Sequence, residues 1–246
     1  MPTFKEDSMN ASSTPVVIRI ELRAHAPFTA LGTLSGILIM IALIIGEAPR
    51  SLSSQLFWIF HPLHVLLSAM VTAAIFRIHG GRGFRRTLWV GYLGSVGIAT
   101  LSDCLIPFLA EWMLQMPNRG LHLGFIEKWW LVNPLALIGI AMAVRWPRTK
   151  FPHSLHVLLS TWASLFHMTM AMGVTLGFTT VAVISVFLFL AVWLPCCTSD
   201  IVFPLLFSPP SSTGAASPSG SFKRHTGDGC SHHRKRSCAG HLACRL

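Results

Sequence analysis

Long apolar stretches alternate with short polar ones along this chain. The apolar runs cover residues 28–46, 55–76, 87–109, 130–144, 152–173 and 177–207. At ~20 residues per crossing, each is about long enough to traverse a hydrocarbon core as a helix. The pattern predicts an all-α, polytopic integral membrane bundle of six transmembrane spans. The fourth run is the shortest and is flanked by Trp129, Trp130 and Trp146, a residue type that anchors at the membrane interface. The sixth is overlong, and Pro195 predicts a break inside it.

The runs are related to one another. HPLHVLLSA at 61–69 returns as HSLHVLLST at 153–161, identical at seven of nine positions. TLSDCLIP at 100–107 returns as CTSDIVFP at 197–204, with Ser-Asp and a proline four residues after the Asp in both. The offsets are 92 and 97 residues, so the order is kept and the second copy has gained five residues between the two motifs. This divides the membrane region into two halves of three spans, 28–110 and 130–207, joined by an extracytoplasmic loop at 111–129. With an odd number of spans per half, the second copy enters the membrane from the opposite side. Inverted repeats of this kind build secondary transporters, whose sites lie at the repeat interface.

Composition agrees with the pattern. Of 246 residues, 52% are hydrophobic and only 11% charged, far from a soluble globular domain. The net charge of +10 reports topology and requires no nucleic-acid partner. Sixteen of the nineteen Lys and Arg fall in the arm 1–27, the loops after spans two and four, and the tail, while Arg50, Arg119 and Lys128 occupy the other side. The positive-inside rule therefore predicts a multi-pass protein of the cell inner membrane with both termini cytoplasmic. The arm carries Glu6, Asp7 and Glu21 and lacks the features of a cleavable signal, so the first span is expected to act as a signal anchor. From Ser208 the chain turns to SPPSSTGAASPSGS and then to CSHHRKRSCAGHLAC, which predicts a disordered, basic, Cys/His-rich tail over 208–246. The six cysteines are expected to be reduced.

Chemistry concentrates in the repeated motifs. Among nine acidic residues, only Asp103 and Asp200 fall within the apolar runs; Glu111 and Glu127 are assigned to the loop. A carboxylate inside a bilayer costs ~3 kcal/mol even on a lenient scale, so each Asp needs a cation, a proton or bonded partners. The helical stripe i, i+3, i+7 aligns His61, His64 and Ser68 in one half and His153, His156 and Ser160 in the other, continuing to His167. Two imidazoles one turn apart plus a carboxylate from a neighbouring helix form an N/O set suited to a divalent transition metal. The candidate ligands are His61, His64, Asp103, His153, His156 and Asp200. Ser68, Ser160, His167, Ser102 and Ser199 are candidate polar lining, and Cys104, Cys196 and Cys197 flank the aspartates. Each Asp could instead cap a helix break, with its neighbouring serine satisfying freed backbone groups. Gly91, Gly94 and Gly97 read as a close-packing helix face.

The function these features favour is secondary transport of a metal cation coupled to protons. The first alternative is a membrane-embedded metal-dependent hydrolase acting on a lipid or small amphiphile, in which the same ligands activate water. A structural or assembly role is the second. No Walker loop, nucleophile elbow or HExxH motif is present, which argues against ATP-driven pumping. The partners expected are the lipid bilayer, a metal cation and protons. Each half is expected to pair its own residues, His61 and His64 with Asp103, and His153 and His156 with Asp200.

Overall fold

The computed structural model describes residues 13–78, 80–146, 150–172, 177–197 and 203–207, and within these no side chain at 13–25, 28, 150–154, 196, 197 or 205. The chain divides into two units, Met1–Pro209 and Pro210–Leu246, and every described residue lies in the first. The expected tail, with its Cys and His tract, falls outside the described residues.

Long helices form where the apolar runs predict them: α1, Ser13–Ile45; α2, Arg50–Ile78; α3, Phe84–Met113; α4, Trp129–Arg145; α5, Lys150–Ala171; and α6, Phe178–Cys197. Short helical turns follow at Gly124–Glu127 and Phe203–Leu206, and no strand occurs among the described residues. Among those residues, α2, α3 and α6 as far as Pro195 are long and apolar enough to cross a membrane. The apolar part of α1, Thr29–Ile45, and α4 are shorter apolar helices.

The helix bounds differ from expectation in three places. α1 begins at Ser13 and runs through Pro27, so the later half of the expected arm is helical. α3 continues past 110 to Met113, which removes Glu111 from the loop. α6 does not break at Pro195 but reaches Cys197. A proline forfeits one helical bond, yet an apolar run offers freed backbone groups no other partner, so the remaining bonds hold the helix together.

Helix ends have local causes. α1 closes with Ala48 N–H bonded to Leu43 O and a positive φ of 49° at Glu47; α3 closes with Met116 N–H on Glu111 O and a φ of 52° at Gln115. Both are left-handed terminations that satisfy the last carbonyls. α2 ends in the same manner at Gly80, φ 84°, where the left-handed backbone suits glycine.

α2 is the central helix, packed along α5 on one side and α4 on the other, while α1 lies against α5 and α6. α3 packs on α2 through its first half and reaches α5 and α6 through its second. The α2–α4 contact depends on Gly139, where a Cβ would fall 2.2 Å from Leu66 O. Gly91 and Gly94 likewise meet Ile140 and Thr72, but Gly97 has no neighbour within 4 Å and is not part of the close-packed face.

Polarity in this bundle runs inside out. The interior holds His61, His64, Asp103, Glu111, Ser160 and His167, each buried. The exterior presents Leu31, Leu34, Leu38, Trp89, Leu137 and Val186, each exposed. A surface this apolar is unfavourable in water and favourable against hydrocarbon.

Candidate functional site

Asp103 lies in a π-helical turn, Leu101–Leu105, the second such turn in α3 after Leu93–Gly97. Each π turn carries one more residue than an α turn and re-aims the side chains that follow. Hydroxyls favour this loosening by bonding earlier carbonyls: Ser95 Oγ donates to Gly91 O at 2.7 Å and Thr100 Oγ1 to Val96 O at 2.7 Å.

The carboxylate of Asp103 receives four donors. Oδ2 accepts from His61 Nδ1 at 2.9 Å and His64 Nδ1 at 2.7 Å. Oδ1 accepts from Ser102 Oγ at 2.7 Å and Ser160 Oγ at 2.9 Å. Three helices thus meet on one buried residue: α2 supplies the imidazoles, α3 the acid and α5 a hydroxyl. Ser164 Oγ strengthens the α3–α5 contact, standing 3.0 Å from Ser102 O.

An ionised carboxylate accepts and cannot donate, so each Nδ1 facing it carries hydrogen and each neutral ring is left with Nε2 as an acceptor. Both Nε2 atoms are buried and have no hydrogen-bond partner among the described residues. Ring contacts hold the imidazoles in place. Phe57 stacks on His61 with centroids 5.3 Å apart, and His156 stacks on His64 at 5.7 Å. Beyond the edge of His61, a Cβ at Gly124 would fall 2.3 Å from Nε2, so only glycine lets the 114–127 connection close over this ring.

The structure therefore brings together His61, His64, Asp103, Ser102 and Ser160, with His156 alongside. Ser68 is buried on α2, and its Oγ has no partner among the described residues. His167 is also buried but bonds elsewhere, to Glu111. The side chain of His153 and residues Ser199 and Asp200 lie outside the described residues, as do the side chains of Cys196 and Cys197. Cys104 is a free, buried thiol. Among the described residues, no three His, Cys, Asp or Glu side chains are arranged to hold a metal ion. His61, His64 and Asp103 are joined by hydrogen bonds, with both Nδ1 atoms committed to the carboxylate.

Sequence reasoning missed Glu111, which is fully buried near the end of α3. A signal was present: Glu111 follows Asp103 by eight residues, about two helical turns along the same face, and apolar Phe108, Leu109, Trp112 and Met113 surround it. Its Oε1 accepts from His167 Nδ1 at 2.6 Å and its Oε2 from Gly120 N–H at 3.2 Å.

Compared with known proteins, the chain matches no family model, no curated protein and no solved structure. Fold and site together define a chain whose described elements are all helical, with apolar helices compatible with a membrane and a buried carboxylate–imidazole network at the junction of α2, α3 and α5.

Proposed function

We propose that this protein is a six-span membrane protein, built of two inverted three-helix repeats, that carries a divalent transition-metal cation across the membrane in exchange for protons. The observation that carries this reading is the pair of buried Nε2 atoms on His61 and His64, which have no hydrogen-bond partner among the described residues, while one oxygen of Asp103 holds both Nδ1 atoms. A carboxylate that accepts from Nδ1 fixes the tautomer and raises the basicity of Nε2, as in carboxylate–histidine–metal arrangements. Asp103 then acts behind the ligands as well as supplying the charge that balances the cation.

Charge counting supports exchange with protons. An ionised Asp103 with two neutral imidazoles carries one negative charge, which either a proton or a metal cation can offset. Imidazolium cannot ligate, so the two compete. The remaining donors would come from the second half: His156, which stacks on His64, and the repeat counterparts His153 and Asp200.

Helix adjacency supports the repeat. Exchanging the halves turns α2–α4 into α5–α1, α2–α3 into α5–α6, and α1–α6 into α4–α3, and all of these pairs are in contact around a central α2–α5 pair.

The test uses the full chain in liposomes with a pH gradient, challenged in turn with zinc, nickel, cobalt, manganese and iron(II). The expected result is metal uptake with counterflow of protons, lost in Asp103→Asn and in His64→Gln. A folded wild-type protein that binds none of these metals at any pH and moves none of them ends the proposal.

A further inference from the structure

Glu111 and His167 form a second buried acid–imidazole pair that the Asp103 site does not use. His167 Nδ1 is 2.6 Å from Glu111 Oε1, and Nε2 of His167 is buried without a hydrogen-bond partner among the described residues. The pair lies at the end of the bundle closed by the 114–127 connection, which bonds it directly through Gly120 N–H. His122, on that connection, is the nearest route outward. Its ring centroid is 5.4 Å from that of His167, its side chain is 35% exposed, and its Nδ1 lies 3.3 Å from Glu127 Oε2.

Phe57 touches both this pair and the other site. Its ring meets that of His167 in a T-shaped contact at 5.3 Å and lies flat on His61 at 5.3 Å, so both imidazoles pack on one apolar side chain. The neighbouring cations are engaged elsewhere. Arg50 donates to Met170 O, Arg119 donates to Gln115, and Lys128 lies over the rings of Trp58 and Trp130. Among the described residues, the titratable groups near Glu111–His167 are His122 with Glu127 on one side, the buried thiol of Cys104 on α3, and His61, which shares contact with Phe57.

We propose that Glu111–His167 is a proton-exchange site, loaded from the connection face through His122 and separate from Asp103. The step balances in protons. Protonated His122 gives its proton to Nε2 of His167, the Nδ1 proton of His167 passes to Glu111 Oε1, and the products are neutral His122, neutral His167 in its other tautomer and a carboxylic acid. Reversal unloads the site. Imidazole suits this relay because one nitrogen can accept while the other donates.

The site's exchange is separable from metal transport, so the two can fail independently. The full chain in lipid nanodiscs, labelled at its imidazole nitrogens, is titrated from about pH 5 to about pH 8, the range over which imidazole changes charge. His167 is expected to remain neutral and to pass from its Nδ1–H to its Nε2–H tautomer, in step with an infrared carboxylic-acid band that Glu111→Gln removes. His122→Asn, at a partly exposed position, is expected to slow proton exchange at His167 by about a hundredfold, the contribution typical of a positioned proton donor, without moving its midpoint. Asp103→Asn is expected to leave both readouts unchanged. A His167 signal that stays constant across the titration, or an exchange rate that His122→Asn does not alter, overturns the proposal. Loss of the His167 response in Asp103→Asn does so as well, because it denies that the two sites are separate.

Discussion

His64 Nδ1 stands 2.7 Å from Asp103 Oδ2, the same oxygen that His61 Nδ1 reaches at 2.9 Å. Two residues one turn apart on α2 therefore converge on a single atom of α3, and their other nitrogens are directed away from it. The arrangement ties the order of three helices to one carboxylate, and its consequences can be measured.

Asp103→Asn removes the charge and preserves the shape. Its amide oxygen can still accept from both imidazoles while its NH2 meets Ser102 and Ser160, whose hydroxyls can rotate to accept. The variant is expected to fold with a loss of about 1–3 kcal/mol, the range for disturbing buried hydrogen bonds, seen as a lower thermal midpoint in detergent. Metal affinity is expected to fall by at least about 10–100-fold, the loss that removal of a ligand-orienting group alone produces. Unchanged metal binding in the Asn variant would falsify a charge-balancing role for Asp103.

Ser160→Ala and Ser68→Ala compare repeat-related positions in unlike surroundings. Ser160 donates to Asp103, whereas Ser68 Oγ has no partner among the described residues. Losing a hydrogen bond to a charged group costs about 1.5–3 kcal/mol, so Ser160→Ala is expected to lower stability by that amount and Ser68→Ala by less than about 1 kcal/mol. Equal unfolding midpoints for the two variants would contradict the bonding described for Ser160.

Gly139→Ala places a methyl group 2.2 Å from Leu66 O, a backbone atom that cannot swing aside, whereas Gly97→Ala meets nothing within 4 Å. Overpacking costs typically about 1–3 kcal/mol, and the Gly139 variant is expected to lose at least that much. Gly97→Ala, in a helical conformation that alanine shares, is expected to be neutral or to gain about 0.4–1 kcal/mol. Thermal unfolding of both proteins in one detergent checks the order.

Under the proposed function, metal affinity should weaken on acidification, because each protonated ring ceases to be a ligand. Isothermal titration of wild-type protein with zinc at several pH values measures this, with proton release on binding growing as pH is lowered. An affinity that rises on acidification would exclude histidine ligation.

The proposed topology places both termini in the cytoplasm. A periplasmic-type reporter fused after residue 207 is expected to be inactive and a cytoplasmic-type reporter active, with the reverse in the 114–127 connection. Activity of the outer-side reporter at residue 207 would reduce the spans to an odd number.

Hydropathy alone was enough to place the helices, because an apolar run leaves its backbone no partner but itself, and every one of the six runs forms a long helix. The repeated HxLHVLLS and Ser-Asp motifs drew attention to His61, His64 and Asp103, because polar groups that recur in the same order within apolar runs each need a partner there, and the three side chains do meet. Hydropathy could not place Glu111. A charged residue at the edge of an apolar run reads as the start of a loop, and only the extension of α3 to Met113, with His167 and Gly120 supplying donors, makes its burial affordable. Nor could the motifs reveal which nitrogen of each histidine faces the acid, that Ser160 of the second half reaches Asp103 of the first, or that Gly124 leaves room for His61. Such facts depend on how α2, α3 and α5 cross, and on loop contacts between residues as far apart as 61 and 124, which no local periodicity encodes.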